Sequence, residues 1–392
     1  MVIKPKMRGF ICTTAHPLGC AENVRRQVEY AKSNPIQGAP KRVLIIGSSA
    51  GYGLACRIAA AFCCSADTIG VFFEREASGS RTATAGWYNS RAFEQLAKEA
   101  GLLCESVNGD AFGDEAKQEV IRLIKDKMPG GKVDSIIYSL AAPKRRDPVT
   151  GEVYSSVIKP IGGAYQNKTI DFHTGELSEV TIEPAAADEI AQTVKVMGGE
   201  DWLLWIKAMS GAGVIEQNAV TVAFSYIGPS LTYPVYKDGT IGKAKEDLEE
   251  KSKQITALLS PIGGKAFIAV NKALVTQASS AIPVVPLYIS ILYKLMKEKG
   301  THEDCIRQMV RMFKDRLYAG KAPVPVDEAG RIRMDDWEME PSLQEEISRA
   351  WSDVNNENTG EYADIEGYRD DFLRLFGFGL SGIDYDVDVK NF

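Results

Sequence analysis

Short apolar runs rich in β-branched residues alternate along the chain with stretches whose apolar positions recur at helical spacing. Strands are predicted at Arg42–Ile46, Thr68–Phe73, Leu102–Val107, Val133–Leu140, Ala219–Tyr226 and Phe267–Val270. Helices are predicted between them at Leu54–Phe62, Ala92–Ala100, Glu115–Lys127, Asp201–Met209 and Lys243–Leu259. Strands that are apolar throughout and separated by helices imply a parallel sheet covered on both faces. The expected class is therefore α/β, a Rossmann-like doubly wound parallel sheet.

Two segments exceed that plan. Nearly eighty residues separate the fourth and fifth predicted strands, and their first half, Gly151–Pro184, is turn-rich and β-branched. A loop of that length without structure is improbable, so hairpins over the active-site edge are expected. The second excess runs from about Ala322 to Phe392. It is acidic but carries Trp337, Trp351, Tyr368, Phe372, Phe376 and Phe378, which argues for packing on the core. With no repeat and no low-complexity linker, one elaborated domain is expected. Residues 1–150 form its cofactor half, 151–200 an insertion, 201–321 the catalytic half and 322–392 a packed extension.

Composition narrows the function classes. A hydrophobic share of 45% and a charged share of 25% are ordinary for a globular protein. The net charge of −6, without a basic stripe, argues against nucleic acid. The N-terminus lacks the apolar run of a signal peptide, and no stretch reaches the ~20 apolar residues of a membrane span. The richest apolar segment, Ala281–Ile289, is short and interrupted by Pro283 and Pro286, so it reads as core or pocket. A cytoplasmic protein is expected. The seven cysteines read as buried thiols. Cys12, His16 and Cys20 recur every four residues, but no fourth ligand is evident and Pro17 is expected to interrupt a helix, so no metal site is assigned.

The strand ending at Ile46 runs into Gly47-Ser48-Ser49-Ala50-Gly51-Tyr52-Gly53, and an Ala-rich helix follows. Glycines there permit a tight turn and close backbone approach to a pyrophosphate, which the helix N-terminus then attracts. The Gly-x3-Gly-x-Gly spacing is the short-chain reductase variant. The alternative is a plain strand–helix turn. Glu74, after the second strand, can accept both adenosine ribose hydroxyls and would repel a 2′-phosphate, which favours NADH. Arg75 and Arg81 stand nearby as groups able to accept that phosphate, and a solvated carboxylate is the plainer reading. Asp110-Ala111 and Ser139-Leu140-Ala141-Ala142 end the third and fourth strands, where ligands of such sheets bind.

Downstream, Tyr236 and Lys245 join a phenolic donor to a cation, nine positions apart. Nine residues of helix make about two and a half turns, so one helix cannot present both to one substrate. Tyr236 is expected in the loop Pro234–Gly239 and Lys245 in the first turns of a helix after Asp238-Gly239-Thr240. Spacing alone does not choose between Tyr233 and Tyr236, or between Lys245 and its neighbours Lys243 and Lys251. Lys144-Arg145-Arg146 suits either an anionic group of a substrate or partner, or a solvated loop. Gly263-Gly264-Lys265 lacks phosphate-loop spacing and reads as a turn.

Over essentially its whole length the chain resembles the trans-2-enoyl-CoA reductases of the FabV type, which also act as enoyl-acyl-carrier-protein reductases. The resemblance rests on Ala15-His16-Pro17 with Gly19-Cys20, Gly47–Gly53, Phe73-Glu74, Gly86-Trp87-Tyr88-Asn89, Gly109-Asp110-Ala111-Phe112 and Tyr138-Ser139-Leu140-Ala141. It also rests on Val196–Trp202, Tyr226-Ile227-Gly228, Tyr236-x8-Lys245 and Val275–Pro283. It implies NADH-dependent reduction of the C2–C3 double bond of an enoyl thioester, carried by CoA or by acyl carrier protein, and a monomer. Tyr236 and Lys245 are then catalytic. Tyr236 is the donor to the thioester oxygen, and Lys245 holds the nicotinamide ribose and phosphate while its charge adjusts the phenol's acidity. Tyr226 contacts substrate. The cofactor contacts carry over onto Gly47, Ser48, Ser49, Ala50, Gly51, Tyr52, Phe73, Glu74, Asp110, Ala111, Leu140, Ala141, Lys245, Leu274, Val275 and Thr276. The apolar segment through Pro286 would cover the acyl chain. The rivals are a carbonyl reductase of the short-chain class and a protein that senses NADH without turnover.

Overall fold

The apolar runs pair as one seven-stranded sheet in the computed structural model, which describes residues 1–9, 11–277, 279–320 and 323–389. Ala278, Ala322 and the last three residues of the expected extension lie outside the described residues. The strands are β1 (Arg42–Ile46), β2 (Asp67–Phe72), β3 (Cys104–Asn108), β4 (Val133–Tyr138), β5 (Ile215–Ser225), β6 (Lys265–Val270) and β7 (Arg331–Arg333). Their order is β3-β2-β1-β4-β5-β6-β7 and every pair is parallel, with Ile45 of β1 between Gly70 and Ile137. Val43, Leu44, Ile45 and Ile46 are all fully buried, as an apolar strand covered on both faces must be. The short β7 was not expected from the sequence.

The helices are α1 (Pro17–Lys32), α2 (Gly51–Cys64), α3 (Ala85–Glu99), α4 (Asp114–Lys127), α5 (Ala187–Met197), α6 (Glu200–Gly211), α7 (Thr240–Leu259), α8 (Val285–Glu298), α9 (Cys305–Arg311), α10 (Pro341–Asp353) and α11 (Ile365–Arg374). One apolar cluster joins α1, α2, α3 and α9 on one face of the sheet, and another joins α4, α6 and α7 on the other. A third gathers α8, α10 and α11 around the residues that follow β5 and β6, closing the carboxyl end of the sheet.

Several expectations need correction. Pro17 does not interrupt a helix. It opens α1, where its missing N–H costs nothing, and His16 caps the helix by accepting Gly19 N–H at Nδ1, 3.2 Å away. His16 is thereby a cap, and no cluster of metal-ligating side chains occurs among the described residues. The proline-bearing segment before Ile289 is helical from Val285, with Pro286 in the first turn. Val284, at φ 75°, is a β-branched residue in the left-handed region, tied by its N–H to Thr169 Oγ1 at 3.2 Å. Helix α3 starts at Ala85, a full turn or more before the predicted Ala92.

The insertion forms two antiparallel hairpins, Lys144–Arg146 with Val153–Ser155 and Tyr165–Ile170 with Leu177–Ile182, followed by α5. It meets the catalytic half where Thr240 Oγ1 donates to Val157 O at 2.6 Å and Tyr165 donates to Leu231 O at 2.6 Å. In the extension, Trp351, Tyr368, Phe372, Phe376 and Phe378 are buried. Trp337 stays 41% exposed with Arg311 over its ring at 4.2 Å. No described helix is long and apolar enough to cross a membrane.

Candidate active site

A cavity of about 1120 Å³ opens along the carboxyl ends of β1, β4, β5 and β6 and draws its walls from residues between Ile11 and Phe376. The turn after β1 forms its floor. Gly47 has φ 88°, and a Cβ there would strike the Ser139 backbone carbonyl; one on Gly53 would strike the Gly47 carbonyl. Both clashes are with backbone, so only glycine lets the turn pass this close to β4 and to itself. Gly51, at φ 54°, begins α2 with open space around its Cβ position. The free N–H groups of this helix start therefore face the cavity.

Gly47, Ser49, Ala50, Gly51 and Tyr52 line the cavity, but Ser48 does not. Its side chain is fully buried and its hydroxyl donates to Val71 O at 3.3 Å, so that side chain ties the turn to the neighbouring strand. Tyr52 turns its hydroxyl onto Lys272 O at 2.7 Å. Glu74 is half-buried and held: its Oε1 accepts Ser49 Oγ at 2.7 Å, against Gly86, whose missing side chain makes room for the carboxylate. Arg75 donates to the Thr82 carbonyl at 2.9 Å, and both Arg75 and Arg81 line the cavity. Phe73 is 78% exposed at the rim, and Asp110, Ala111, Leu140 and Ala141 complete this wall. Lys117 pins the adjoining loop. Its amine donates to Phe112 O at 2.9 Å and Asp201 Oδ1 at 2.9 Å, and Tyr138 donates to Asp201 Oδ2 at 3.0 Å. Arg145, expected in a surface loop, is fully buried against Glu200 at 2.8 Å, leaving Lys144 and Arg146 exposed.

Across the cavity, Tyr236 lies in the turn before α7 and Lys245 in the second turn of that helix, as the spacing predicts. Both line the cavity; Tyr233, Lys243 and Lys251 do not. Lys243 pairs with Glu246 on the exposed face of α7, and Lys251 with Asp247 against the Gly198–Gly199 turn. Lys245 donates to Phe224 O at 3.0 Å, and burial pushes its amine down to about 8. Burial pushes the Tyr236 phenol up, with Tyr368 and Glu338 adding to the effect. The surroundings that act on Tyr236 here are apolar burial and the Glu338 carboxyl group, and they keep it protonated.

Tyr226 stands edge-on to Tyr236, ring centroids 4.8 Å apart at 79°. Its hydroxyl donates to Glu338 Oε1 at 3.1 Å. Among the described residues the Tyr236 hydroxyl has no such acceptor. Leu274, Val275 and Thr276 line the cavity beyond β6, where Val275 N–H donates to Tyr293 at 3.0 Å. Ile282, Val285 and Ile289 add an apolar wall.

Sequence reasoning missed Asn271, Lys272, Asp371, Arg374 and Phe376, all cavity-lining. Asn271 is 3% exposed and neither end of its amide has a partner. Lys272 donates to Ala273 O at 3.0 Å, and burial pushes its amine down to about 8. None belongs to a spaced motif; a polar Asn-Lys pair directly after an apolar strand was the available signal. The glycine turn, the free helix start, Glu74 with Ser49, and the unpartnered Asn271 amide together fit a dinucleotide.

Three family profiles match the chain. One described as "NAD(P)H binding domain of trans-2-enoyl-CoA reductase" covers residues 2–79, and one described as "Trans-2-enoyl-CoA reductase catalytic region" covers 81–318. The third, "Enoyl reductase FAD binding domain", covers 326–389. That last segment does not fit a flavin site of its own. Trp351, Tyr368, Phe372, Phe376 and Phe378 are packed inward, the exposed Trp337 is covered on one face by Arg311, and the surface groove on α10 is lined by Pro341, Gln344, Glu345, Ser348 and Arg349, with neither a glycine turn nor an aromatic platform. A trans-2-enoyl-CoA reductase [NADH] of Ruminiclostridium cellulolyticum is 57% identical, over 99% of this chain and 98% of that one. An enoyl-[acyl-carrier-protein] reductase [NADH] of Coxiella burnetii is also 57% identical, over 100% and 96%. Among solved structures, the Treponema denticola trans-2-enoyl-CoA reductase in complex with NAD is 49% identical with a TM-score of 0.96, covering 99% of this chain and 98% of that one.

Proposed function

The chain belongs to the trans-2-enoyl-CoA reductase family, and from that premise we propose how its own residues carry out the reaction. The protein is an NADH-dependent reductase of the C2–C3 double bond of enoyl thioesters. NADH supplies the hydride when bound. The glycine turn and the start of α2 hold the pyrophosphate, Glu74 accepts the adenosine ribose hydroxyls, Asp110 and Ala111 flank the adenine, and Lys245 holds the nicotinamide ribose. As the double bond is reduced, negative charge grows on the thioester oxygen. Tyr236 is the donor aimed at that oxygen, and its buried, protonated phenol is suited to stabilising it.

One observation carries the choice of donor. Tyr226 has spent its single proton on Glu338, whereas the Tyr236 hydroxyl is free in the cavity. Tyr226 therefore packs against the substrate and Tyr236 serves it. The apolar wall of Ile282, Val285 and Ile289 supports an acyl chain in place of a polar ketone substrate. A donor and a substrate-sized cavity weigh against a sensor that binds NADH without turnover.

The carrier is CoA in this reading, with acyl carrier protein the alternative. The kcat/KM of one enoyl chain on both carriers separates them. The cavity takes residues from all three profile-matched segments of one chain, which supports a single functional unit working as a monomer. The described cysteines are free thiols, which suits a reducing cytoplasm. NADH absorbance followed with crotonyl-CoA and with acetoacetyl-CoA tests the activity, and turnover of only the ketone would overturn it. In the same assay Tyr236→Phe loses about 10²–10⁴ in kcat while still binding NADH. Near wild-type turnover would move the donor elsewhere.

A further inference from the structure

Glu338, beyond β7, is fully buried behind the cavity wall, against the lining residues Tyr226 and Ala273. It has no Lys or Arg partner within ion-pair range among the described residues, and the nearby Lys272 amine is committed to Ala273 O. Instead three donors converge on it: Tyr226 at 3.1 Å and Tyr288 at 2.7 Å on Oε1, and Ala273 N–H at 2.7 Å on Oε2. Gln344 secures the assembly by donating to the Glu338 backbone carbonyl at 2.7 Å and to the Tyr288 oxygen at 3.3 Å. Two phenols and an amide aimed at two oxygens, with no acceptor facing them, is the environment of a carboxylate. Burying a carboxylate whose nearest cation, Lys272, stands outside ion-pair contact is costly, and an apolar residue of similar volume would hold this corner together at less expense.

We propose that Glu338 is a positioning residue for the reduction, drawing the Tyr226 proton out of the cavity and so fixing the ring against which Tyr236 is oriented. The inference rests on the reading of Tyr236 as donor and deepens it. A phenol has one proton. With that proton on Glu338, Tyr226 cannot compete with Tyr236 for the thioester oxygen, and it offers substrate only its ring and an acceptor oxygen. The edge-on contact at 4.8 Å makes the Tyr226 ring a stop for the Tyr236 ring, so release of Tyr226 also frees Tyr236 to turn. Tyr288 braces the same oxygen from α8 and keeps the carboxylate from following Tyr226 when that ring moves.

The test is a mutant cycle in the crotonyl-CoA assay. Glu338→Gln keeps the shape but leaves one acceptor oxygen for three donors and turns an N–H2 toward the others. It should lower kcat at least tenfold, with the KM for NADH unchanged within about twofold. Tyr226→Phe should lower kcat to a similar extent, and Tyr226→Phe/Glu338→Gln should be no worse than Tyr226→Phe alone, because Glu338 acts through that hydroxyl. Single-turnover traces extend the range if steady-state rates fall too low. Should Glu338→Gln fail to fold, Glu338→Asp, which keeps the charge but withdraws it, should give a smaller kcat loss that also vanishes in the Tyr226→Phe background. An unchanged kcat in a folded Glu338 variant, or losses that multiply in the double mutant, overturns the proposal. Tyr236→Phe in the same series keeps the two readings apart. If it remains active, the donor assignment itself has failed; if it is inactive while the Glu338 and Tyr226 losses multiply, only the role of Glu338 has failed.

Discussion

Replacing Glu74 by Ala should shift the enzyme's cofactor preference. The carboxylate stands at the cavity wall with Oε1 on the Ser49 hydroxyl at 2.7 Å, in a notch left by Gly86. That places an anion where the adenosine ribose is expected, steadied by a neutral donor and without a cation bonded to it. Its hydrogen bonds to a bound ribose are of the charge-assisted kind, worth about 1.5–3 kcal/mol. At about 1.4 kcal/mol per factor of ten, NADH affinity should fall roughly 10- to 150-fold. NADPH should lose less, because the carboxylate that repels its 2′-phosphate goes at the same time. Arg75 and Arg81 both line the cavity and are the arginines placed to receive that phosphate, Arg75 with one N–H already on Thr82 O. Initial rates with both cofactors at fixed crotonyl-CoA give the ratio of kcat/KM values directly. A ratio unchanged within about twofold would refute the reasoning and put Glu74 among the purely structural contacts of Ser49.

Lys245, held down to about 8 by burial, should impose a pH limit on cofactor binding. Its charged form, the one that holds ribose and phosphate, is full below that value and empties as pH rises through it. The Kd for NADH measured by fluorescence should therefore climb above about pH 8, and Lys245→Arg should move that rise out of range; a flat profile to pH 9 would remove Lys245 from the cofactor. Lys117→Met should leave Asp201 buried beside Tyr138 without its cation. Breaking such a pair costs about 3–5 kcal/mol, visible as a lowered denaturation midpoint, and a midpoint equal to wild type would mean Asp201 is protonated in the native protein.

The parallel sheet and the glycine turn were legible because both are written locally. A strand buried on both faces must be apolar throughout, as Val43–Ile46 is, and a turn that passes under Ser139 must be glycine. Tyr236 and Lys245 could be placed on separate elements from spacing alone, and the family motifs chose them over Tyr233, Lys243 and Lys251. What escaped was whatever depends on distant parts of the chain. Pro17 reads as a helix breaker until His16 is seen to cap the helix it opens. Ser48 sits within the glycine turn, yet its hydroxyl turns into the sheet to meet Val71. The influence of Lys245 on the phenol is what the family resemblance implies, whereas the amine's bond to the end of β5 and the nearness of Glu338 and Tyr368 to the phenol come only with the fold. Glu338 itself lies in no motif, and only the folded path of the extension brings it beneath Tyr226.

That path has a consequence for how the protein is made. A chain growing from its N-terminus lays down the glycine turn among its first fifty-three residues and the tyrosine pair well before its end. The acid that restrains Tyr226, and the Asp371–Phe376 wall, emerge last. Because these late segments pack into the same core as the strands that precede them, the cavity is walled on all sides only when the chain has been made through the Asp371–Phe376 wall. The order of synthesis thus makes the proposed brace of the donor the last part of the site to be supplied.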